Sequence, residues 1–169
     1  MAGIVVKVGD LGLGDLAKQL DQVQEDMRSQ WMEQVAKNLA ARLLRKVILT
    51  TPVGQYPEKS GKVGGTLRRG WIADTEEEAK SKAKENPNDN EILAYVNAMS
   101  INKSGDQYVI EVFNPVHYSP YVEYGHRTRG GKGWVEGTFM LTISEEALKS
   151  QAPAIVEKML KKKLREAFP

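Results

Sequence analysis

The chain has 169 residues, 41% hydrophobic and 27% charged, the composition of one ordinary folded domain and not of a disordered or fibrous chain. Its 24 Lys and Arg against 22 Asp and Glu leave a net charge of +2, so no strong overall field draws it to nucleic acid or membrane. With no Cys and two His it lacks disulfides, thiolate nucleophiles and Cys-ligated metal centres, and has little for a His relay.

The first residues, MAGIVVKVGD, have a short apolar run without a basic n-region or a long h-region, so no signal peptide is expected. No stretch reaches the ~18 apolar residues of a membrane span. Gly3 to Val8 is β-branched and predicts a short strand. Leu16, Leu20, Val23, Met27, Trp31, Val35, Leu39, Leu43 and Val47 recur at spacings of three and four, which predicts one helix from Asp15 to Thr50. Such a helix would be roughly 50 Å long, either lying along a sheet or packing partly on a neighbouring subunit.

Thr51-Pro52 stops it, because proline disfavours helix in the residue before it. Residues 51–66 hold two Pro and four Gly and predict a mobile loop. Alternation of Leu67, Arg69, Trp71 and Ala73 predicts a strand. Residues 74–91 carry seven acids and three Lys, and predict an acidic, flexible, solvated excursion. Ile92 to Lys103 and Tyr108 to Asn114 predict two strands joined by a hairpin turn at Lys103-Ser104-Gly105-Asp106.

Tyr118, Tyr121 and Tyr124 recur every third residue, so one helical turn would align the rings, either filling the core or fixing the base of the loop that follows. Residues 126–137 form a Gly-rich basic loop. Helical periodicity then runs from Thr138 or Thr142 to the end, with Thr142 and Glu145 as a capping pair and Pro153 as a kink or restart. The elements describe one α+β domain over residues 1–169: a mostly antiparallel sheet flanked by a long N-terminal and a C-terminal helix, with long loops.

Several suggestive groups fail on chemistry. In Gly130-Gly131-Lys132-Gly133 the Lys is not followed by Ser or Thr, as a phosphate loop requires. His117 and His126 lack the i, i+4 spacing of a helical metal pair. Glu76, Glu77 and Glu78 stand in a solvated run. No catalytic residue, cofactor or metal site is expected, and no enzymatic activity. Two Gly-, aromatic- and Arg-rich loops on a rigid body suit contact with other proteins instead. The candidate interface residues are Arg68, Arg69, Trp71, Tyr121, Glu123, Tyr124, His126, Arg127, Arg129, Lys132 and Trp134. Glu123 is expected to pair with a nearby Arg, and loop 126–137 to reach a neighbour.

Two segments carry a resemblance. TPVGQYPEKSGKVGGTLRRGW, through Gly65, Leu67, Arg68 and Trp71, and NPVHYSPYVEYGHRTRGGKGWVEGTFML, through Tyr118, Tyr121, Val122, Glu123, Tyr124, Gly125, His126, Phe139, Met140 and Leu141, resemble the neck, or tail-completion, proteins of tailed bacteriophages and prophages. This is the gp-ten-like family of lambdoid phages, similar to minor tail protein Z. The resemblance implies a structural virion protein at the head–tail junction, assembled in the bacterial cytoplasm. It implies a sixfold or twelvefold ring, neck or tail terminator, that closes the tail tube and joins it to the head connector. The implied partners are copies of itself, head-connector and tail-tube or sheath proteins, and passing genomic DNA, with no membrane contact. The loop from Val53 to Gly65 and the run 74–91 depart from the pattern. The alternative is a non-sequence-specific DNA-binding accessory protein of the particle that uses the basic C-terminal residues.

Overall fold

The computed structural model describes residues 3–7, 25–105 and 107–167, with side chains from Arg28 to Glu166 save Asp106. The expected helical residues 15–24 lie outside the described residues. Strand β1 (Gly3–Lys7) precedes helix α1 (Glu25–Thr50). On α1 the stripe Trp31, Val35, Leu39, Leu43 and Val47 is buried, and so is a second row of Met32, Ala36, Ala40, Leu44 and Ile48. Two adjacent rows give a face wide enough to pack several elements at once. The hydroxyl of Thr51 donates to the Val47 carbonyl, one residue before Pro52 ends the helix.

Six α-helices and two small antiparallel sheets are found among the described residues, an α+β architecture as the sequence predicts. One sheet has the order β1-β3-β2, with β2 spanning Asn102–Ser104 and β3 Gln107–Phe113. Gly3 faces Phe113 through to Lys7 facing Val109, and Ser104 faces Gln107 across the turn at Gly105, whose φ is +58°. Tyr108, Ile110 and Val112 of β3 alternate inward, and β3 packs on α1.

Two predicted strands are helices. Residues 67–73 form the short helix α2 (Thr66–Arg69) and a 3-10 turn (Gly70–Ile72). Leu67, Arg69, Gly70, Trp71, Ile72 and Ala73 are all buried, so this is a turn of chain enclosed on every side and not a strand with one wet face. Residues 92–98 belong to α4 (Asp89–Ala98). Only Ile92 and Val96 of the apparent alternation are buried, a spacing of four, while Ala94 and Ala98 are exposed. The helix starts in a capping box, in which the Asn88 side chain accepts from the Glu91 amide and Glu91 accepts from the Asn88 amide.

The acidic run also contains α3 (Glu76–Ser81), capped by Thr75 and anchored by buried Ala79. Residues 52–65 are irregular apart from a 3-10 turn at Glu58–Ser60, and Gly64 lies against Gly54 so tightly that a β-carbon there would sit 2.0 Å from the Gly54 oxygen. The chain continues as α5 (Ser119–Tyr124), a two-stranded hairpin of β4 (Gly125–Arg127) and β5 (Trp134–Glu136), and α6 (Met140–Ala167). Residues 126–137, read as a loop, thus hold a short hairpin whose strands flank the turn 128–133. Helix α6 runs through Pro153 and packs on α1, where the Thr50 and Ser144 hydroxyls meet at 3.2 Å.

Candidate interaction surface

The hairpin is fixed at its root by three devices. Gly125 has φ +85°, and a β-carbon there would lie 2.5 Å from the Val135 oxygen and 3.0 Å from the Trp134 ring; one on Gly137 would lie 2.2 Å from the Glu123 oxygen. Only glycine lets these backbones approach so closely. The Thr138 and Phe139 amides donate to the Val122 and Glu123 carbonyls at 2.8 and 3.0 Å, closing the far strand onto the end of α5.

The third device is the Glu123 carboxylate. It is buried, and accepts from the Leu141 amide at 2.9 Å, the Thr142 amide at 3.0 Å and the Thr142 hydroxyl at 2.7 Å. Those amides belong to the first turn of α6 and have no acceptor within the helix. Glu123 therefore caps α6 from another helix, its negative charge at the positive end of the helix dipole. It does not pair with an Arg, as the sequence suggested, and the expected Thr142–Glu145 pair is not the cap.

This cap leaves Phe139 in the position normally taken by Ser, Thr, Asp or Asn. Phe139 has φ +49°, the single non-glycine residue with a positive φ among the described residues, and it is 41% exposed. An aromatic residue in left-handed backbone costs about 1 kcal/mol. Ile143, one turn on, is half-exposed, as are Tyr124 and Trp134. Trp71, Pro120, Tyr124, Met140 and Leu141 line a small depression at the junction of α5 and α6.

Across the hairpin His126 faces Val135 and Arg127 faces Trp134. Pleating puts His126 and Val135 on one side, where the His126 ring meets Tyr121 edge-on at 5.9 Å, and Arg127 and Trp134 on the other. The tip is closed by Thr128, whose amide donates to the Gly133 carbonyl at 3.0 Å while its hydroxyl accepts from the Gly133 amide at 3.0 Å. Arg129 and Lys132 flank Gly130 and Gly131 at that tip, and all four are exposed.

The hairpin and α5 thus bring together Tyr121, Tyr124, His126, Arg127, Arg129, Lys132 and Trp134. The other expected residues serve the body. Buried Arg69 donates two hydrogen bonds to Glu91, one of them at 3.1 Å, and holds that carboxyl down at about 2, with the Asn88 amide assisting. The indole N–H of Trp71 donates to the Thr51 hydroxyl at 2.7 Å. Half-buried Arg68 donates to the Thr51 carbonyl at 2.9 Å and to Asn86 at 3.1 Å. Tyr118 is half-buried against the core, and burial raises its pKa. Phe139 and Ile143 were not among the expected interface residues; exposure of an apolar residue at a helix start follows from the remote cap, which no local pattern announces.

Glu76 is not solvated as expected. It pairs with Lys80 at 2.7 Å and accepts from the His117 amide at 2.9 Å, and these contacts, Lys80 foremost, lower its pKa to about 2. Among the described residues no group of three or more His, Cys, Asp or Glu could hold a metal ion, and no helix is long and apolar enough to cross a membrane.

A family model described as "Bacteriophage HK97-gp10, putative tail-component" matches residues 14–125, about two thirds of the chain. The matched residues end at Gly125, where the hairpin begins. Neither the curated proteins nor the solved structures contain a match to the chain.

Proposed function

The chain belongs to the HK97-gp10-like family of bacteriophage tail components, and from that membership we propose that it is a ring-forming structural protein of the head–tail interface. In this reading six or twelve copies form a neck, tail-completion or terminator ring that closes the tail tube and joins it to the head connector. The protein works by assembly and not by catalysis. The likeness to lambdoid gp-ten-like proteins and to minor tail protein Z belongs to the same reading.

The observation that carries it is the apolar surface at the hairpin root. Tyr124, Trp134, Phe139 and Ile143 stand exposed around a braced backbone, one of them in a strained conformation. Aromatic anchors on a rigid mount are what a protein–protein contact uses. A different surface of the next copy would receive them, and such head-to-tail contacts close into rings. The test is a double substitution, Trp134→Ser with Phe139→Gly, in a phage or prophage that carries the gene. Both residues are exposed, so circular dichroism and thermal unfolding should stay close to wild type. Particles should lack joined tails, counted by electron microscopy. Normal tailed particles from the double variant would refute this use of the surface.

A further inference from the structure

The root and the tip of the hairpin differ in chemistry, and we propose that the tip, Arg127, Arg129 and Lys132, contacts the phosphate backbone of duplex DNA. The inference rests on the ring reading, in which the genome passes the joint, and adds a second partner on the same element.

Three observations converge. First, several basic side chains on and beside the helices are matched to carboxylates within the chain, and Lys158, Lys163 and Arg165 of α6, unmatched among the described residues, stand in sequence among Glu157 and Glu166. Arg45 pairs with Asp89, Arg69 with Glu91, Lys80 with Glu76, Lys82 with Glu78, Lys149 with Glu145, Lys161 with Glu157 and Lys162 with Glu166. Arg127, Arg129 and Lys132 have no ion-pair partner among the described residues. From Tyr124 to Val135 the sequence contains no Asp or Glu at all. Three like charges on so short a hairpin repel one another, and a partner that supplies negative charge relieves this.

Second, the tip from Thr128 to Gly133, sequence TRGGKG, has no apolar side chain. A protein partner would be expected to find an aromatic or aliphatic anchor there, since the centres of protein interfaces are apolar and poor in charge. The nearest aromatic residue is Trp134, across the ladder from Arg127, and the turn itself carries none. Phosphate contacts, by contrast, are made by Arg and Lys without apolar help and carry no sequence readout.

Third, the tip is shaped to approach a surface closely. Gly130 and Gly131 have φ of +99° and +73° with open space around them, and the Thr128–Gly133 bonds hold the two basic flanks on a narrow turn. No recognition helix or stacking platform accompanies it, so binding should be indifferent to sequence.

The test uses the full chain and a short labelled duplex of random sequence, with affinity followed by fluorescence anisotropy as salt is raised. Each phosphate contact adds ~0.9 to the slope of log affinity against log salt. The triple variant Arg127→Gln, Arg129→Gln, Lys132→Gln should therefore lower that slope by about 2.7 and weaken binding at low salt by tenfold or more. A control variant, Lys158→Gln, Lys163→Gln, Arg165→Gln, removes the same charge from the end of α6 and should leave both values near wild type.

Loss of binding in the control and not in the tip variant would overturn the inference. So would absence of duplex binding by the wild-type chain at low salt. Tight binding of poly-glutamate with no binding of DNA would assign the tip to an acidic protein and also overturn it. The ring reading fails separately. If the Trp134→Ser, Phe139→Gly double variant still builds tailed particles while the tip variant alone loses DNA, the apolar root is wrong and the tip stands.

Discussion

At the residue scale the buried Arg69–Glu91 pair is the clearest case of a charge the fold depends on. Arg69 is almost wholly enclosed, and Glu91 gives it two acceptor oxygens while completing the capping box of α4. Replacing Glu91 with Ala strands a buried guanidinium and should cost on the order of 3 kcal/mol, read from urea unfolding. The pair also sets a pH response. The Glu91 carboxyl falls from its ordinary 4.5 to about 2 on folding, so the stability it contributes is present above about 4.5 and is lost as pH drops towards 2. Glu76 acts in the same direction. Unfolding midpoints measured from pH 6 down to pH 2.5 should fall for the wild type and fall less steeply for Glu91→Gln; parallel curves would remove Glu91 from the acid response. None of this was visible in the sequence, where Arg69 and Trp71 read as surface anchors. A charged residue beside a Gly-rich loop looks exposed, and its burial is decided by Glu91, 22 positions away, and by α1 beneath it.

At the element scale the stability of α6 is governed from α5. Glu123→Ala removes the acceptor for two buried or half-buried amides and a hydroxyl, and should destabilise by about 2 kcal/mol. Glu123→Gln keeps one carbonyl acceptor and should recover part of that, as differential scanning calorimetry can show. Equal losses for both would argue that packing, not capping, is what Glu123 supplies. The long elements α1 and α6 were legible because their apolar residues keep a period of three or four over many turns, and β3 because it alternates and Gly105 marks the turn before it; of the strand expected at 92–103 only the end is β2. Residues 92–98 misled because Ala94 and Ala98 counted as apolar in an alternation, although alanine is indifferent to exposure. The Asn88–Glu91 spacing was the better signal there, and Thr75–Glu78 likewise announced α3. The cap of α6 had no local signal, since its donors and acceptor are 18 or 19 residues apart.

At the scale of the whole molecule, the core runs from Trp31 on α1 to Val156 on α6, with Met159 and Leu160 half-buried beyond it. Past that point α6 carries solvent-exposed ion pairs such as Lys161 with Glu157 and Lys162 with Glu166, of the kind that adds little to stability. Deleting residues 161–169 should therefore leave the thermal midpoint essentially unchanged; a large drop would mean that the end of α6 contributes to the core after all. The α+β class, the two long helices and the grouping of aromatic and basic residues at 118–137 could all be read from sequence. The exposed apolar root could not, because it depends on Phe139 adopting left-handed backbone, and nothing in the residue itself favours that.

The three attachments at the hairpin root make it a fixture of the α5–α6 corner and not a flap. Its two strands leave the body through Gly125 and Gly137, both jammed against backbone, and the carboxylate beside them is locked to the first turn of a helix roughly 40 Å long. A push on the tip is consequently borne by the seam between α5 and α6 and passed along α6 to α1. A load applied at the hairpin would therefore meet the α5–α6 corner as one piece, without any strand having to unzip.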